Sequence, residues 1–219
     1  MRGFRVGAVV VTVFVAAAAA AGTVQGKVAV LAKDGRPAAD LADAVVWVEG
    51  PKARVRASAA KVEMKSKAFV PRVTVVAVGG IVEFPNLDSI FHNVFSVSGE
   101  NRFDLQLYKK PKSGSKVFEH PGIVRIYCNI HPQMSGFVLV RDNPWWARVQ
   151  KDGSFSIEGV PAGSWVLKAW HERAGESAQN AQVPEAGVTT ASFQLDASKF
   201  KRAPHKNKFG KDYEVGEKY

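Results

Sequence analysis

The sequence predicts an all-β protein. Short runs rich in Val, Ile, Phe and Trp recur along the chain, many with alternating apolar and polar residues, the period of a strand with one buried face. Gly, Pro, Asn and Asp cluster between these runs as turns. Beyond the N-terminus no segment carries a long apolar stripe at helical spacing. Packed sheets satisfy all three observations; helical bundles and alternating α/β units do not.

Taken in order, Gly26 to Leu31 alternates and ends in the turn Lys33-Asp34-Gly35-Arg36-Pro37. Ala44 to Glu49 is a second β-rich run closed by Gly50-Pro51, and the basic stretch from Ala53 to Lys67 reads as a connection. Val73 to Val78, Gly79-Gly80 and Ile81 to Phe84 read as strand, turn, strand. The loop Pro85 to Ser89 delivers Phe91 to Phe95; Phe103 to Leu107 is a further strand, and Lys109 to Lys116 a loop. After the turn Pro121-Gly122, Ile123 to Tyr127 runs straight into Cys128, and Gly136 to Val140 follows. Asp142-Asn143-Pro144 opens a last block with strands at Phe155 to Ile157, Trp165 to His171 and Val188 to Leu195. Trp145-Trp146 reads as packing at a junction. The tail from Lys199 to Tyr219 carries seven Lys or Arg against three acidic residues and is expected to run over the surface or to be mobile.

Arg2 and Arg5 precede an apolar run from Val6 to Ala21 that ends in small residues, the layout of a secretory signal, with cleavage expected between Ala20 and Thr23. No integral membrane span is expected after signal removal. The chain has a formal net charge of +10, to which Arg2 and Arg5 contribute two. An exported basic protein points to acidic protein partners or anionic surfaces rather than to nucleic acid.

Export gives the single cysteine weight, because an unpaired thiol in an oxidising compartment is a liability unless something occupies it. Cys128 stands in Cys128-Asn129-Ile130-His131-Pro132-Gln133-Met134. A thiolate, an imidazole and a thioether at this spacing form a soft donor set that favours copper over hard cations. His92, at a loop-to-strand junction, supplies a second imidazole. The candidate ligands are therefore His92, Cys128 and His131, with Met134 favoured over Gln133 for a long axial contact. Asn93 is placed to tie the His92 loop to the Cys128 loop. His120, His171 and His205 have no close-spaced companion and read as surface or structural residues. No Gly-rich phosphate loop or paired-carboxylate motif stands out, so no enzyme activity is expected.

Phe69-Val70-Pro71, Gly80 to Phe84, Asn86, Asp88, His92-Asn93-Val94, Phe103-Asp104, Pro121-Gly122, Tyr127-Cys128 and His131 to Met134 together resemble the cupredoxins, with the short Cys-x2-His-x2-Met loop of amicyanin rather than the longer one of plastocyanin. The resemblance implies a Greek-key sandwich holding one type 1 copper, with His92, Cys128 and His131 equatorial, Met134 axial, and His131 near the surface as the electron port. The flanks, Gly26 to Gly50 on one side and Asp152-Gly153-Ser154-Phe155 with Val160-Pro161-x-Gly163 and the alternating strand from Trp165 on the other, resemble the early and late strands of a carboxypeptidase-regulatory, Ig- or transthyretin-like sandwich. The whole arrangement is similar to exported proteins of the methylamine-utilisation or plastocyanin-like type.

The expected organisation is a signal over 1–22, sandwich strands over 23–62, a copper domain over 63–142, the rest of the sandwich over 143–198 and a basic tail over 199–219. The expected function is that of a periplasmic one-electron carrier docking a redox partner protein, acidic by charge complementarity, near His131. The alternatives are a copper-delivery protein using the same ligands and a structural sandwich module.

Overall fold

A computed structural model describes residues 21–51, 53–201 and 205–213. Most of the expected signal segment lies outside the described residues. Among the described residues the chain is all-β, with two single-turn 3-10 helices at Leu41–Asp43 and Gly99–Asn101. The first strands are β1 (Ala21–Leu31), β2 (Val45–Glu49), β3 (Ala59–Lys61), β4 (Glu63–Lys65), β5 (Ala68–Val70), β6 (Val73–Ala77), β7 (Gly80–Pro85) and β8 (His92–Ser96). They are followed by β9 (Phe103–Tyr108), β10 (Ser113–Phe118), β11 (Gly122–Tyr127), β12 (Ser135–Arg141), β13 (Trp146–Arg148), β14 (Ser154–Pro161), β15 (Gly163–His171), β16 (Gly175–Val183) and β17 (Val188–Asp196).

The first and last strands of the described residues pair with each other. β1 lies between β14, antiparallel, and β17, parallel, while a second sheet runs β13-β2-β15-β16. Val24, Val28 and Val30 of β1 point inward and are buried, as are Phe155 and Ile157 of β14 and Phe193 and Leu195 of β17. They meet Val46, Val48, Leu167 and Ala169 of the second sheet in one core, as alternation along each strand requires. Gly26 faces Ala191 across the β1–β17 pairing so closely that a Cβ there would fall 1.6 Å from the Ala191 carbonyl oxygen.

The middle of the chain forms two further sheets, β10-β7-β3 and β6-β12-β11-β8-β9, and the small β4–β5 hairpin. Val82, Phe84, Val94, Phe118, Val124, Ile126 and Val138 fill the space between them, together with Cys128 and Met134. A third apolar cluster joins this middle part to the flanking sheets: Val45, Trp47 and Trp170 from one side meet Val73, Phe137 and Leu139 from the other. Phe137 and Trp170 meet edge to face at 5.0 Å, and Arg72 pairs with Glu172 at 2.6 Å. Trp146 packs against the same cluster.

Four details differ from the expectation. The stretch from Ala53 to Lys67 contains β3 and β4, three-residue strands too short to show a period in sequence. β10 begins inside the expected Lys109–Lys116 loop, because its Ser and Gly residues pair with β7. β16 is polar, with Glu176, Ser177, Gln179, Asn180 and Gln182, but is zipped along its whole length to β15. The tail does not simply run over the surface: residues 205–213 bind the Cys128 loop.

Candidate metal centre

His92 is the first residue of β8, and Cys128 directly follows the end of β11. A rigid sheet thus presents both side chains, since β8 pairs with β11 through Phe95 and Tyr127. The loop after Cys128 closes on itself: the Met134 amide donates to the His131 carbonyl at 2.9 Å, and the Cys128 amide to the Met134 carbonyl at 3.2 Å. This tight turn returns His131 to the cysteine, and its stiffness owes something to Pro132, whose φ is fixed.

The ligand atoms converge. His131 Nδ1 lies 3.5 Å from Cys128 Sγ and 3.1 Å from His92 Nδ1, and His92 Nδ1 lies 3.9 Å from the sulfur. The three donors fall within 4.8 Å of one another. His92 and Cys128 are fully buried and Met134 is 1% exposed. His131 alone of the three clustered donors is partly open to solvent. Gln133 is exposed whereas Met134 turns inward beside Cys128, which leaves the thioether rather than the amide as the axial candidate.

Protonation in the metal-free chain fits a cation site. Burial pushes the Cys128 thiol up, against the pull of the Ile130, Asn93 and His131 amides. Burial, then the neighbouring His92, depresses His131 to about 4, so its ring is neutral with a lone pair to give. Two imidazole nitrogens and a sulfur crowded together, with His92 and Cys128 fully buried, are costly unless something binds them. Soft and intermediate donors in this ratio suit copper, and one ion held by His92, Cys128 and His131, with Met134 alongside, fits the residues present.

The orientation of His92 comes from a part of the chain that the sequence left unexplained. Its Nε2 faces the Asp88 carboxylate at 2.8 Å, which leaves Nδ1 to the cluster. A carboxylate holding the far nitrogen of a ligating histidine fixes ring and tautomer. Asp88 is itself held by the Ser66 and Lys67 amides at 2.8 and 3.0 Å. Partial burial alone would raise its carboxyl, but the bonds from Lys67, His92 and Ser66 outweigh that and hold it below the usual carboxylate range. Ser66 and Lys67 both have positive φ, 54° and 56°, the twist of a two-residue hairpin turn that normally selects Asn-Gly. The turn aims two adjacent amides at one carboxylate, so the hairpin, Asp88 and His92 form a single chain of support.

The Asn93 backbone amide, rather than its side chain, points at Cys128 Sγ, at 3.5 Å. Its side chain donates to Asp104 at 2.7 Å and to the Gln106 carbonyl at 2.9 Å. Of the remaining histidines, His120 lies beside Glu100 at 3.4 Å and His171 is buried against the Asp40 carbonyl at 3.2 Å. Neither approaches the cluster. His205 stacks on Tyr127 with ring centroids 4.4 Å apart.

The all-β fold and the His-Cys-His donor cluster with Met134 nearby fit a copper site of the cupredoxin kind. Solved structures similar to this chain include a purple cupredoxin from Nitrosopumilus maritimus, 24% identical, covering 37% of this chain and 99% of that one at a TM-score of 0.34. A reduced mutant of amicyanin is 27% identical over 44% of this chain and 98% of that one, at a TM-score of 0.36. A copper-containing nitrite reductase from Thermus scotoductus SA-01 is 26% identical over 38% of this chain, at a TM-score of 0.37, and this chain spans only 22% of its length. No protein-family model matches the chain, and no curated protein does. With overlaps this partial, the copper reading rests on the convergence of His92, Cys128 and His131, with Met134 buried in the same cluster as Cys128.

Proposed function

We propose that this chain is an exported type 1 copper protein that passes single electrons between redox partners. The observation that carries the reading is that His92 Nδ1, Cys128 Sγ and His131 Nδ1 already converge within 4.8 Å, held by hydrogen bonds that need no ion. Copper, when bound, supplies a one-electron couple. The chain's own contribution is to hold the donors in one arrangement for both oxidation states, which keeps rearrangement on electron transfer small. His92 is locked by Asp88, Cys128 by its strand and the Asn93 amide, and His131 by the closed loop.

His131 is the partly exposed donor of the cluster, which supports docking of the partner near it. The net charge of +10, of which Arg2 and Arg5 of the signal segment carry only two, favours acidic partner surfaces and fast, salt-sensitive encounter. Export to a periplasm, with the apolar N-terminal run as its signal, belongs to the same proposal. So does the reading of the paired flanking strands as one sandwich of carboxypeptidase-regulatory type into which the copper domain is inserted.

Voltammetry of the copper-loaded full chain, with a Cu(I) chelator added in parallel, tests this function. An electron carrier gives a fast, reversible one-electron wave and keeps its copper against the chelator. Irreversible reduction with rapid surrender of Cu(I) would point instead to metal delivery.

A further inference from the structure

Residues 205–213 form a built turn. Asn207 Oδ1 accepts from the Phe209 and Lys211 amides at 2.9 and 3.0 Å, the Asn207 amide donates to the Lys211 carbonyl at 2.8 Å, and Lys206 pairs with Asp212 at 2.7 Å. Both arms of this turn grip the ligand loop. The Tyr213 hydroxyl donates to the Cys128 carbonyl at 2.8 Å, and the Lys208 amide donates to Asn129 Oδ1 at 2.8 Å. These are the backbone oxygen of a metal ligand and the side chain of the residue after it.

A second line runs from the same turn to the sulfur. Lys208 Nζ meets Asp104 Oδ2 at 2.6 Å, Asp104 Oδ1 accepts from the Asn93 side chain at 2.7 Å, and the Asn93 amide faces Cys128 Sγ at 3.5 Å. The Lys208 and Asp104 side chains are only 22% and 27% exposed, so the pair is partly shielded from water. An aromatic stack completes the anchorage: His205 lies over Tyr127, whose neighbour is Cys128, and meets Tyr213 edge to face at 5.3 Å.

We propose that this C-terminal turn is a strap that holds the Cys128 loop in its ligating shape, with Tyr213 and Lys208 as positioning residues of the metal centre. The inference rests on the reading of that centre as a copper site, but the strap is a property of the metal-free chain as well. Outer partners of metal ligands typically carry ~10–100-fold in metal affinity. A loop whose carbonyl and side-chain oxygen are both taken up by one distant segment is such a case.

The test compares the full chain with Tyr213→Phe and Lys208→Gln, metal-free and loaded with Cu(II). In the metal-free proteins, trypsin cuts after Lys206 and Lys211 are timed and amide exchange is followed over 128–134. The strap predicts that Tyr213→Phe is cut roughly tenfold faster and exchanges faster across 128–134. With copper bound, both variants should hold the ion about tenfold more weakly and show a shifted thiolate-to-copper band. Equal cutting and equal exchange in wild type and Tyr213→Phe would overturn the strap. Faster cutting with unchanged copper affinity and spectrum would overturn the positioning role. A wild-type protein without a blue band would instead sink the electron-carrier reading, while the metal-free comparison would still decide the strap.

Discussion

The Asp88 carboxylate holds His92 by its Nε2 at 2.8 Å, and this contact decides which nitrogen the histidine offers to the cluster. Removing the charge while keeping the shape should loosen the ring. Asp88→Asn is expected to weaken copper binding by ~10–100-fold, read by competition against a chelator of known affinity. Affinity within twofold of wild type would show that the ring is held by packing alone.

Asp104 gives a pH prediction on the metal-free protein. Partial burial would raise its carboxyl, but the bonds from Lys208, Asn93 and the Gln106 amide outweigh this and lower it from the ordinary 3.8. A carboxyl with a folded-state value below its unfolded one stabilises the fold above the unfolded value, and loses that contribution as pH falls through the folded one. Asp104→Asn should therefore melt below wild type near neutral pH, with the gap closing as pH drops below 3.8. A gap that is constant or widens in acid would contradict the assignment.

Trp170 tests how firmly the middle sheets sit on the flanking ones. It is 6% exposed and packs edge to face on Phe137 across the junction. Trp170→Ala should cost about 3–5 kcal/mol in denaturant unfolding, and a second, separate transition should appear if the two parts come apart. A loss below about 1 kcal/mol would mean that the junction contributes little.

Gly26→Ala probes the pairing of β1 with β17. The added methyl would collide with the Ala191 carbonyl, which belongs to backbone and cannot swing away. Overpacking of this kind costs typically about 1–3 kcal/mol and sometimes more. Thermal melting should fall accordingly, and an unchanged melting temperature would show that β1 does not lie against β17.

Much of the site was legible because its chemistry is local. Cys128, His131 and Met134 sit in one short loop, a strand before the cysteine shows as an apolar run, and His92 follows its own loop. What stayed hidden depends on contacts between distant residues. Asp88 matched the cupredoxin pattern but carried no role, because loop spacing does not say which way a side chain points. Its partners Ser66 and Lys67 lack the Asn-Gly signature of their turn. The Tyr213–Cys128 contact spans 85 residues, and a basic tail carries no pattern that foretells docking. In the fold, long alternating strands such as β1 and β15 were visible, while β3 and β4 were too short and β16 too polar to register.

The optical and EPR spectrum of the purified full chain with Cu(II) tests most directly whether His92, Cys128, His131 and Met134 form a type 1 copper site. An intense blue thiolate-to-Cu(II) band with narrow copper hyperfine splitting is predicted, both features vanishing in Cys128→Ser. A pale solution with wide hyperfine splitting, or a spectrum that Cys128→Ser leaves unchanged, would contradict it.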